Sequence, residues 1–260
     1  MLEVTDARSE RMVADAGVHC RAPAQLAPGT AGGLAAWVFG AILAGSAGES
    51  AVIRALLTEG GKWDAWRARL REFLCAGTEK AAPCTTQGEV SACFPDLLRW
   101  VVEFWQEDVL PLAIDPTLDG DKLAALVISV LYRGCAIPVA WQILPANQEE
   151  PWLPHLVRLL GELKPAMPRS WQVVVLTDRG LWSPALWDAI REQGGHPLGR
   201  VRTDATVQPQ GGKRQPVRAL VPSPGQAWVG KGVASKHAPV RRPATLIVIW
   251  AHGQKDPWVC

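Results

Sequence analysis

The chain has one Tyr and four Phe among 260 residues, and no cysteine pair at CxxC spacing. Cys20, Cys75, Cys84, Cys93, Cys135 and Cys260 stand singly, and no His accompanies them at finger spacing, which excludes a zinc module. Long hydrophobic runs are absent too. The longest mostly apolar stretch, residues 34–45, covers about a dozen positions where a membrane span needs about 20, so a buried helix is expected there and no membrane partner. Acidic residues at Glu3, Asp6, Glu10 and Asp15, set among Arg8 and Arg11 before any apolar run, exclude a signal peptide; reduced cysteines and a cytoplasmic location are the expectation.

What the chain has in quantity is tryptophan, 13 residues, and an apolar fraction of 48% against 20% charged, a balance that forms a core rather than a disordered chain. Tryptophan both fills cores and stacks on bases, so its count decides neither. Acidic residues are nearly missing from one region. The 62 residues from Gly199 to the end carry 10 basic and 2 acidic side chains inside a chain whose net charge is only +2. Such a segment suits a polyanion, because each phosphate it neutralises releases counterions; a solvated basic surface is the plainer alternative.

The pattern along the chain changes once. Residues 33–57 read as helix with a break at Gly45-Ser46 and Ser50 as cap of the second half, residues 64–74 as a short amphipathic helix, and residues 95–107 as a helix with Leu97, Leu98, Val101, Val102 and Trp105 on one stripe. From Val109 the signal is β. VLPLAID, DKLAALVISVLY and RGCAIPVAWQIL are three strands, the last two joined by a turn at Arg133-Gly134, and Pro138 assigns the third to a sheet edge. A helix over residues 149–163 follows, then WQVVVLTD as a buried parallel strand. Next comes a helix from Ser183, its cap, through Pro184 to a stop at Gly194-Gly195, and then the strand PLGRVRTD. This order resembles an RNase H-like α/β domain, a mixed sheet flanked by helices. The expected division is a helical N-terminal region over residues 1–108, the first part of the sheet domain over 109–198, and a partial, basic, β-rich insertion over 199–260.

Two acids stand at strand ends, Asp115 in LAIDPT and Asp178 in VVLTDRG. On neighbouring strands, about 4.8 Å apart, both carboxylates reach one divalent ion, and their hard oxygens suit Mg²⁺ or Mn²⁺. An Asp at a strand end also caps helices in many α/β proteins, so each acid alone is ambiguous and the pair is what argues for a site. Among the basic residues, Arg179 either contacts phosphate or pairs with a carboxylate, and Arg200 and Arg202 share a strand face suited to a DNA backbone or to solvent. Lys213 and Arg214 follow Gly211-Gly212 in a loop, with the same two readings. Asp119 and Asp121 flank Gly120 as a turn rather than a calcium loop, because the remaining ligands are missing. Trp182 and Trp228 are stacking or packing residues, and His196, His237 and His252 have no convergent spacing.

The segment from LAIDPT through WQILP resembles the first catalytic block of the IS4-like DDE transposases, and the segment from WQVVVLTDRG through GRVRTD resembles their second. The resemblance covers residues 109–204, with IVIWAHGQKDPWVC similar to a later strand segment. It implies an RNase H-like transposase in which Asp115 and Asp178 are the first and second metal-binding acids. The implied activity is Mg²⁺-dependent cutting of an insertion-sequence end and joining of it to target DNA.

The family completes its site with a Glu inside a Tyr, Arg, Glu, Lys signature, and nothing after Asp178 matches it: Glu192 comes too early, and Asp204 and Asp256 lie on no late helix. The expectation is therefore a truncated transposase with doubtful catalysis. The alternatives are a DNA-binding product that self-associates or partners a full-length transposase, another RNase H-like nuclease completed by Asp204, and a phosphatase-like enzyme that leaves the basic tail unexplained.

Overall fold

The computed structural model describes residues 28–74, 90–103, 105–181, 183–202, 205–234 and 242–260. The chain divides into two compact units, residues 1–93 and 94–260. In the first, helices α1 (Pro28–Ala44), α2 (Glu49–Leu57) and α3 (Trp63–Leu74) enclose a small core of Ala36, Val52, Ile53, Leu56 and Leu70. The break falls at Gly45, whose φ of +58° suits glycine, and α1 and α2 meet there at 89°. The cap differs from the expectation. Gly48 is the N-cap, its N–H donating to Ser46 Oγ at 3.2 Å, and Ser50 lies inside α2. Gly40 lets the two helices approach, because a methyl there would stand 2.7 Å from Val52 Cγ1. No single helix among the described residues is long and apolar enough to cross a membrane.

The second unit contains a mixed five-stranded sheet built from β1 (Val109–Asp119), β2 (Leu123–Tyr132), β3 (Cys135–Pro145), β4 (Gln172–Thr177) and β5 (His196–Gly199). Its order is β3-β2-β1-β4-β5, with β1, β2 and β3 antiparallel in succession and β4 and β5 parallel to β1. This arrangement is compatible with an RNase H-like fold. Arg133 and Gly134, with φ of +47° and +84°, make the tight β2–β3 turn. Pro138 lies on the edge strand, beside a bulge at which Val139 has no partner between the pairs Ile128–Ala140 and Ser129–Pro138.

The period of two decides which face is buried. Leu110, Leu112 and Ile114 of β1, Leu126, Ile128 and Val130 of β2, and Val173 and Val175 of β4 share a core with α4 (Phe94–Glu103), α5 (Leu153–Leu163) and α6 (Pro184–Glu192). Helix α4, which the sequence groups with the N-terminal helices, belongs to this unit: Phe94, Leu98 and Val101 are buried in the sheet's core. Ser183 caps α6 as expected, accepting from the Leu186 N–H at 3.1 Å, with Pro184 opening the helix. The face carrying Asp115, Val127 and Trp141, which are register partners, is half-buried to exposed.

A second, antiparallel sheet of order β10-β9-β8-β6-β7 follows: β6 (Thr206–Pro209), β7 (Gln215–Pro216), β8 (Gln226–Ala234), β9 (Pro243–Trp250) and β10 (Trp258–Val259). Val207, Val217, Val221, Leu246, Val248, Trp250 and Val259 form its core. Contacts among the described residues tie it to the first sheet and its helix. The Val201 N–H donates to the Val259 carbonyl at 2.8 Å, and Arg242 grips Asp188 of α6 with both carboxylate oxygens engaged, at 2.7 and 3.2 Å.

Candidate functional site

Strands β1 and β4 run in parallel register as far as the pair Ile114–Thr177, and there the ladder ends. Asp115 and Asp178 are the residues that follow this last pair on the two chains. The two acids reach that position differently. Strand β1 does not end at Asp115, as the sequence reading had it; it continues with β2 alone to Asp119, because the hairpin pairs out to the turn at Gly120. The β4 chain does leave the sheet, turning at Asp178, whose carbonyl accepts from the Leu181 N–H at 3.0 Å, and Ser183 then starts α6. That departure clears the space at the carboxyl end of β4, and both acids are exposed.

Arg200 is brought onto Asp178. Its backbone N–H donates to the Thr177 carbonyl at 3.0 Å, and its guanidinium lies 3.5 Å from the Asp178 carboxylate and 4.1 Å from the centre of the Trp258 ring. Asp178 is 58% exposed and Arg200 35%, so the ion pair is solvated and weak. Arg179 is exposed in the turn beside Asp178. Strand β5 stops at Gly199, so Arg200 and Arg202 flank the bridging Val201 beyond the strand rather than alternating within it.

Lys213 and Arg214 are elsewhere. They are exposed at the β6–β7 connection, Arg214 Nε donating to Thr206 Oγ1 at 2.6 Å, on the edge of the second sheet opposite to Trp258. Asp119, Gly120, Asp121 and Lys122 form the β1–β2 turn, closed by the Lys122 N–H donating to the Asp119 carbonyl at 3.2 Å. Asp256 pairs with Arg218. Asp204, Trp182 and His237 lie outside the described residues.

Among the described residues no group of three His, Cys, Asp or Glu side chains is placed to hold a metal ion. Asp115 and Asp178 are both exposed, and the Asp178 carboxylate is shared with Arg200.

Sequence reasoning missed Trp258. It lies on β10 and reaches Arg200 only through the pairing of Val201 with Val259, which no local pattern announces. Trp228 instead packs against the core of the second sheet. The Asp188–Arg242 pair was missed as well; the hydrogen bond from Arg242 holds the Asp188 carboxyl below the usual carboxylate range.

No protein-family model matches the chain, and no curated protein does. Among solved structures, the chain is similar to one in a crystal structure of the Mos1 strand transfer complex, at 14% identity, covering 74% of this chain and 71% of that one, with a TM-score of 0.24. A likeness that loose carries no argument about fold or function, which rest here on strand order and on the residues themselves.

Proposed function

We propose that the chain is a DDE-type transposase core of the IS4-like kind, acting on double-stranded DNA, and that these 260 residues bind DNA with weak or absent strand cleavage. The observation that supports this reading is the position of Asp115 and Asp178, each one residue past the last pair of the β1–β4 ladder, in a sheet of order β3-β2-β1-β4-β5. The reaction is phosphoryl transfer, in which water cuts an insertion-sequence end and the freed 3′ hydroxyl joins target DNA. Asp115 and Asp178 would hold Mg²⁺ or Mn²⁺, which supplies charge neutralisation at the phosphorus being displaced.

The rest of the work belongs to the protein's own groups. Arg200 presents its guanidinium beside Asp178 and exposed Arg179 follows that acid in the chain, so both would orient a backbone phosphate; Arg202, Lys213 and Arg214 would add contacts that position DNA without reading its sequence. Two carboxylates with no third donor grouped with them among the described residues hold cations poorly, and this is the reason for weak cleavage.

The test is a gel-shift titration of the purified chain with duplex DNA at two salt concentrations, alongside a strand-cleavage assay with Mg²⁺. Salt-sensitive binding with little cleavage is expected, because phosphate contacts release counterions. Efficient end joining would overturn the weak-cleavage claim, and failure to bind DNA at low salt would sink the reading as a whole.

A second reading, a DNA-binding regulator that pairs with itself or with a full-length transposase, is favoured by the two-acid donor set and by the presence of Arg200 on Asp178. It requires that Asp115→Asn leave both DNA binding and co-purification with such a partner unchanged.

A further inference from the structure

We propose that Arg200 is a positioning residue that Trp258 holds against Asp178, and that DNA phosphate draws it off, so that binding of the polyanion opens the Asp115–Asp178 pair to a divalent cation. The inference rests on the reading of that pair as a cation site. Of the contacts that place Arg200, one involves the acid. The backbone is pinned by the 3.0 Å bond to the Thr177 carbonyl and by the bridge from Val201 to Val259, and the guanidinium lies over the Trp258 ring at 4.1 Å. The contact to Asp178, at 3.5 Å, is longer than a charge-assisted hydrogen bond of about 2.7–2.9 Å.

The carboxylate is therefore the partner that Arg200 gives up most cheaply, while the ring keeps the guanidinium within reach. A planar guanidinium over an aromatic face retains its edge for bidentate contact with phosphate. The second sheet acquires a role at the acids by this route, since Trp258 is its contribution.

A dication and a guanidinium compete for the same carboxylate, so each weakens the other. Removing the guanidinium, by mutation or by phosphate, tightens cation binding. Linkage makes the coupling reciprocal: if DNA tightens the cation by some factor, the cation tightens DNA by that factor.

The experiment is Mn²⁺ titration of the full chain, read from the free-ion electron paramagnetic resonance signal, with and without a short duplex and against a duplex-only blank. Arg200→Gln is expected to tighten Mn²⁺ about threefold to fivefold without DNA, the range of a partly exposed ion pair. The duplex should tighten Mn²⁺ by a similar factor in the native chain and give no further gain in Arg200→Gln. Trp258→Leu should reproduce part of the gain by freeing the guanidinium.

If circular dichroism finds Arg200→Gln unfolded, Arg200→Lys, which keeps the charge and loses the planar stack, is expected to tighten Mn²⁺ by a smaller factor. Unchanged Mn²⁺ affinity in the folded Arg200 variant, with binding lost in Asp115→Asn, overturns the clamp and leaves the cation site standing. Mn²⁺ binding indifferent to both Asp115→Asn and Asp178→Asn overturns the site and the clamp together.

Discussion

The two sheets of the second unit are built by different means. In the first, β1 and β4 are neighbours although more than fifty residues separate them in sequence, and the parallel ladder between them ends one residue before Asp115 and Asp178. In the second, β8 and β9 pair antiparallel across eight rungs, and the small core is made mostly of valine. Parallel pairing needs a crossover, here α5, whose Leu156, Leu159, Leu160 and Leu163 are buried against the sheet. The first sheet carries the acids on a core sealed by three helices; the second delivers Arg242 and Trp258 to it from outside. Chemistry and support are thus divided between a sheet that depends on long-range packing and one that depends on close backbone approach.

The largest expected effect breaks the first side of that comparison. Leu160→Ala, at a position 1% exposed beneath the sheet, should cost about 2–5 kcal/mol in urea unfolding and reduce DNA binding through loss of folded chain. A loss under about 1 kcal/mol would show that α5 does not seal the core as described.

A smaller effect isolates the second sheet. Gly232→Ala sets a methyl 2.6 Å from the Gln208 carbonyl oxygen, where the backbone has to shift, at a cost of about 1–3 kcal/mol. A lowered melting temperature is expected, together with a weaker hold of Trp258 on Arg200, seen as tighter Mn²⁺ binding. If the melting temperature falls and Mn²⁺ affinity does not move, the second sheet supports its own strands and not the site.

The smallest effect tests the link between the sheets. The Asp188 carboxyl is held below its ordinary value of 3.8 by Arg242, so the pair's contribution to stability is present above that value and is lost as pH falls through the lowered one. Asp188→Asn should melt slightly earlier than the native chain near pH 6, with the gap closing at acid pH. A gap that stays constant down to the acid end of the titration would mean that the link is made by shape and not by charge.

Much of the first sheet was legible because its signals are local. Arg133-Gly134 between two apolar runs specifies a tight turn, Pro138 an edge, and Ser183-Pro184 a helix start, and each stands where expected. The first helix of this unit packs in the sheet's core, which its sequence does not state because an apolar stripe announces burial without naming what covers it. The end of β1 was misplaced for a related reason. Asp115 resembles a strand terminus in composition, yet β1 continues because β2 still has partners to offer it.

What the sequence by itself determined is the set of elements, their periods, the two acids and the basic excess after Gly199, since these depend on side chains a few positions apart. Only the tertiary structure decided that the β1–β4 ladder stops one residue short of both acids, and that Arg200 lies between Asp178 and Trp258. Strand neighbours and stacked side chains are selected by how whole surfaces pack, and the chain's local spacing carries no record of that choice.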